Sequence, residues 1–166
     1  MPSSRSVVIA ALILTAMSAC TRTSGETCYL IDVPRGIGIT VDAAIAERVD
    51  TAEMTVCWNG SCQTPPVVLR PSSGSVDEDC TGSGPDAVCA ARAEPTGEKA
   101  GFANLPDMPS SPVEVTVTLT DQAGDRIVDR TLTLDPKMVD SPGECGGMRP
   151  QGQIAVNADG TAQVVG

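Results

Sequence analysis

Eight consecutive residues, Val113-Glu114-Val115-Thr116-Val117-Thr118-Leu119-Thr120, alternate apolar and polar without a fault. Successive side chains of a strand point to opposite faces, so a period of two marks a strand with one dry face and one wet one. Turn chemistry follows at Asp121-Gln122-Ala123-Gly124-Asp125, and Arg126 to Leu134 returns with Ile127, Val128, Leu132 and Leu134. The pattern is that of a β-hairpin. A chain holding such a segment must build a sheet and then cover its dry face.

The same reasoning finds further strands. Glu53-Met54-Thr55-Val56-Cys57-Trp58 alternates, with Met54, Val56 and Trp58 on one face. Asn59-Gly60 then supplies the strongest two-residue hairpin signal, and Cys62 to Leu69 is the expected return strand. At the C-terminus, Gln153 to Val156 meets Thr161 to Val165 across Asn157-Ala158-Asp159-Gly160. Cys28 to Val33 and Ile37 to Val41 read as strands separated by Pro34-Arg35-Gly36. Val88 to Ala93 and Ala100 to Ala103 flank a turn at Pro95-Thr96-Gly97-Glu98, a short helix from Pro85 being the competing reading of the first. Ala43 to Val49 forms one or two helical turns, and Arg70 to Ala87, rich in Ser, Gly and Asp, is a long loop. These short strands imply an all-β antiparallel β-sandwich, with Met54, Val56, Trp58, Val113, Val115, Val117, Leu119, Leu132 and Leu134 facing the core.

Seven cysteines divide into one after an apolar leader and six in the body. Arg5 precedes an uncharged run from Val7 to Ala16, and small residues lead into Cys20. About 20 apolar residues are needed to span a bilayer, so the run is too short for an anchor and has the three-part layout of a secretory signal. Ser18-Ala19-Cys20 resembles the lipobox of bacterial lipoproteins, with Met17 where Leu is usual. The resemblance implies a signal peptide over residues 1–19 and palmitate-type acylation of Cys20; the polar stretch Thr21 to Thr27 then reads as a tether over 20–27, and the remaining length suits one domain over 28–166. Cleavage after Ser18 by an ordinary signal peptidase is the alternative, and would leave Cys20 a free thiol. On the lipoprotein reading the protein is lipid-anchored on the extracytoplasmic face of the cell membrane. There the six body cysteines are oxidised. In a two-residue hairpin Cys57 faces Cys62 where side chains approach closest. Cys80–Cys89 closes a local loop, and Cys28–Cys145 is what remains of the 15 pairings that six cysteines allow.

Without the leader the chain carries 10 basic and 21 acidic residues, a formal charge of −11. Such a field repels phosphate backbones and excludes nucleic acid as a partner. The membrane is reached through the N-terminal lipid, and an envelope protein or a glycan is the remaining class of partner.

Gly101-Phe102-Ala103-Asn104-Leu105-Pro106, followed by a long alternating strand, looks like the Phe-x-x-Leu-Pro element of prealbumin-like and other immunoglobulin-like bacterial modules. The resemblance implies a spacer or adhesion domain.

Chemistry finds little purchase here. The sequence has no histidine, which removes Ser-His-Asp and Cys-His systems, and no phosphate or dinucleotide motif occurs. Thr96 and Lys99 match a Thr-x-x-Lys pattern that chance explains. Asp77, Glu78 and Asp79 are candidate calcium ligands, with a solvated loop tip as the competing reading. Asp121, Asp125, Asn157 and Asp159 are turn formers, and Trp58 is read as core rather than a ligand platform. No catalytic residue and no cofactor is assigned. The expectation is a non-catalytic binding or envelope-structural module; the alternative is a carboxylate-dependent hydrolase or a redox accessory working through a labile disulfide.

Overall fold

The computed structural model describes residues 33–77, 80–82, 87–140 and 147–165. These residues are mostly β, 62% of them in strands and 3% in helix, arranged as two sheets. The strands are β1 (Gly36–Val41), β2 (Thr51–Trp58), β3 (Ser61–Gln63), β4 (Pro66–Val67), β5 (Arg70–Asp77), β6 (Ala91–Asn104), β7 (Val113–Thr120), β8 (Arg126–Leu134), β9 (Lys137–Asp140), β10 (Met148–Val156) and β11 (Ala162–Val164). Among the described residues there is one short helix, α1 (Ala43–Ala46), capped by the Asp42 carboxylate, which accepts from the Ala44 amide at 2.8 Å. It lies within the segment expected to be helical.

One sheet runs β11-β10-β1-β6-β5, with β9 also on β10, and the other runs β3-β2-β7-β8, with β4 also on β2. Alternation on both sheets feeds one core. Ile37, Ile39 and Val41 from β1 and Ile154 and Val156 from β10 meet Met54 and Val56 from β2 and Val113, Val115, Val117 and Leu119 from β7, all buried. Trp58 and Leu132, expected inside, are only half-buried and pack against the rim of this cluster. Trp58 is the last residue before a turn, which leaves it open on one side, and Leu132 lies on the edge strand β8, whose enclosed side chains are Val128 and Leu134.

Turn chemistry sets the local register. Asn59 and Gly60 both take positive φ, 49° and 77°, which gives the tight loop that places Trp58 opposite Ser61 and Cys57 opposite Cys62. Asp121 closes the β7–β8 loop by accepting from the amides of Ala123 and Asp125, each at 2.9 Å. Threonines pair across the wet face of the second sheet, Thr116 with Thr131 and Thr55 with Thr64, both at 3.0 Å, and Thr51 with Thr120.

Four expectations are corrected. Pairing is not antiparallel throughout, because β1 runs parallel to β10 from Gly36 opposite Gln151 to Val41 opposite Val156. Residues 70–77 are not loop but β5, an edge strand whose Ser- and Gly-rich composition hid it. Pro95 to Glu98 does not turn the chain back. It is a bulge inside the continuous 14-residue β6, where Ser72 alone spans the gap opposite Thr96, Gly97 and Glu98. Gly97 takes its φ of 82° inside that bulge, so the turn residues bend a strand rather than end it. Lastly, the return strand after Asn59-Gly60 is broken into β3 and β4, although both hold the same register on β2. Pro65 and Pro66 supply no amide to a ladder.

Candidate functional site

Among the described residues two disulfides are present. Cys57–Cys62 joins directly opposed residues of β2 and β3, with 4.0 Å between Cα atoms. Cys80–Cys89 lies beyond the last β5–β6 pair, next to the bridge in which Thr81 and Val88 exchange amide hydrogen bonds of 2.9 and 3.0 Å. Each bond closes a local strand connection, which fits a staple. Cys20, Cys28 and Cys145 lie outside the described residues, as do Glu78 and Asp79. The backbone of Asp77 ends β5 opposite Ala91. Among the described residues, no three His, Cys, Asp or Glu side chains come together as a metal site.

The other residues singled out from sequence are separated by the fold. Thr96 Oγ1 donates to the Ser72 carbonyl at 3.3 Å, whereas Lys99 Nζ donates to the Val49 carbonyl at 2.7 Å, so they form no nucleophile dyad. Asp159 accepts from the hydroxyl and the amide of Thr161, at 2.6 and 2.9 Å. Those bonds favour the charged carboxylate and hold Asp159 below its ordinary value of 3.8, a result of turn closure.

Among the described residues, a concavity that carries several donors lies at the end of the first sheet where β1 and β10 begin. A cavity of about 390 Å³ is lined by Val33, Pro34, Arg35, Asn104, Pro106 and Arg149. The parallel β1–β10 ladder brings the two leading segments side by side, and the antiparallel β1–β6 ladder sets Asn104 opposite Gly36. The walls are tied in place. The Arg35 guanidinium donates to the Pro106 carbonyl at 2.9 Å, while the Leu105 amide donates to the Arg35 carbonyl at 2.9 Å. The Gln151 side-chain Nε2 donates to the Pro34 carbonyl at 2.6 Å across 117 residues of chain. Both arginines are half-buried, and Arg149 has an interaction of its own.

Sequence reasoning missed this cluster. Arg35 stood in a Pro-Arg-Gly punctuation and Arg149 in no recognised element. The only signal was charge scarcity: in so acidic a chain, two arginines on one cavity stand out. Comparison with known proteins adds no assignment, since no family model, no curated protein and no solved structure matches the chain. Among the described residues no helix is long and apolar enough to cross a membrane.

Proposed function

We propose that this chain is an exported lipoprotein, anchored through Cys20, that acts as a non-catalytic binding or envelope-structural module. The observation that carries the reading is the pair of short-range disulfides. Bonds of this kind persist in oxidising compartments, and the Ser18-Ala19-Cys20 leader provides a route there. The two facing sheets are read as a β-sandwich of immunoglobulin-like or prealbumin-like kind, modified by the parallel β1–β10 pair. On this reading the sheets act as a rigid frame and the loops and sheet ends present the recognition surface.

The test is the intact mass of protein extracted from native membrane. An N-terminus at Cys20 carrying acyl mass is expected, together with release into the soluble exported fraction on Cys20→Ala. A soluble wild-type species without acyl mass would defeat the anchoring. Hydrolysis of a cell-wall or glycan substrate that vanished on changing one Asp or Glu, with the fold intact, would defeat the non-catalytic assignment.

A further inference from the structure

We propose that the β5–β6 ribbon is a pairing arm, and that two copies of this chain join through the outer edge of β6 at Ala91–Pro95. β1 covers β6 only from Lys99 to Asn104, whereas β5 covers it from Ala91 to Ala100. The first part of β6 therefore leaves the sandwich as one side of a two-stranded ribbon. α1 reaches β6 at Gly97, where the Ala43 Cβ stands 3.1 Å from the place a Cβ would take. From Ala91 to Thr96 no described strand lies on the outer edge. Along an antiparallel strand, alternate residues turn amide and carbonyl to each side, so this stretch presents an open ladder. Its side chains are exposed apart from the half-buried Glu94, and Ser73, Ser75 and Val76 opposite it are exposed as well. A two-stranded ribbon alone in water is marginally stable. Here the far end is fixed by Cys80–Cys89 and the Thr81–Val88 bridge, so the edge is ordered before a partner arrives.

The residues on this edge select a second copy as the partner. Antiparallel pairing about a twofold axis at Ala93 sets Arg92 opposite the partner's Glu94 and Glu94 opposite the partner's Arg92. Within one chain Arg92 and Glu94 already share a face, joined at 2.6 Å, with side chains 61% and 47% exposed. Two such pairs side by side make a square of alternating charge. Arg92 keeps the interactions it has, and each ion gains an opposite neighbour across the interface. Parallel in-register pairing, or an axis at Arg92 or Glu94, faces like charges instead, so the register is specified. The joined segment is neutral although the chain carries −10, and the remaining long-range repulsion is the part that salt screens. Five residues a side make less than a standard interface, which gives a weak, reversible dimer. A twofold contact occupies this edge in both copies and closes the assembly.

The experiment is sedimentation velocity of the full exported chain carrying Cys20→Ala, which removes association driven by an acyl group. A reversible monomer–dimer equilibrium is expected below about 1 mM. Arg92→Glu and Glu94→Arg should each weaken the dimer at least tenfold, because symmetry turns both cross-strand pairs repulsive. An equimolar mixture of the two variants should recover a 1:1 heterodimer, since each then carries the charges that the other lacks. The double variant should recover the homodimer for the same reason. Arg126→Gln, on β8, should leave association unchanged. Should a charge variant fail to fold, hydrogen exchange of the chain with Arg92 and Glu94 intact answers instead, and amides between Ala91 and Glu94 must gain protection as concentration rises. Monomer throughout the range, single variants that dimerise undiminished, a mixture that stays monomeric, or protection growing on another edge would each overturn the pairing. None of those results touches the acyl mass or the membrane fraction, so the anchoring reading stands or falls separately.

Discussion

Gly152 on β10 sits directly beneath the fully buried side chain of Leu134. A methyl group built on Gly152 would lie 2.5 and 2.6 Å from the two Leu134 methyls and 3.0 Å from its Cγ. Carbon atoms in comfortable contact are about 3.5–4.0 Å apart, so roughly 1 Å of movement is needed inside a packed core. Gly152→Ala should therefore cost about 1–3 kcal/mol by overpacking, offset by up to about 1 kcal/mol from the reduced freedom of the unfolded chain. Leu134→Ala should cost about 2–5 kcal/mol by leaving a cavity. In the double variant the new methyl occupies part of that cavity, and the clash is gone. The pair should then be more stable than the sum of the single changes by about 1–3 kcal/mol, a coupling in which the unfolded-state contribution cancels. Urea unfolding followed by the fluorescence of Trp58, the sole tryptophan, measures all four corners of the cycle. Additivity within about 0.5 kcal/mol would refute the steric account.

Asp121→Ala removes the acceptor for two loop amides and should lower stability by about 1 kcal/mol in the same assay, with Asp121→Asn closer to wild type. Asp159 should titrate below 3.8 by NMR, and Thr161→Val should move it back up by removing the hydroxyl bond. Since its folded value is the depressed one, the stability it contributes is present above the unfolded value and is lost as pH falls through the folded one. Cys28 and Cys145 should be found joined by non-reducing peptide mapping. The parallel ladder sets the leads into β1 and β10 at one end of the sheet, which is where both cysteines enter in sequence. A free Cys28 in oxidised protein would contradict that pairing.

The sequence by itself determined what acts over a few residues. The faultless alternation of β7 decides which side chains are buried, and Asn59-Gly60 decides that Cys57 meets Cys62. Asp121, Gly124 and Gly160 decide where the other hairpins turn. In each case the cause is a backbone preference or a period expressed within one element. Tertiary structure decided the rest. Pro95-Thr96-Gly97-Glu98 has turn chemistry, yet it becomes a bulge because β5 pairs on both sides of it. The Ser-rich stretch from Arg70 becomes a strand because the long edge of β6 is available to it. The parallel union of β1 with β10, and with it the meeting of Arg35, Asn104 and Arg149, depends on segments far apart in sequence. No local period encodes it, because the choice of partner strand is made by burial of Ile37, Ile39, Ile154 and Val156 in the shared core.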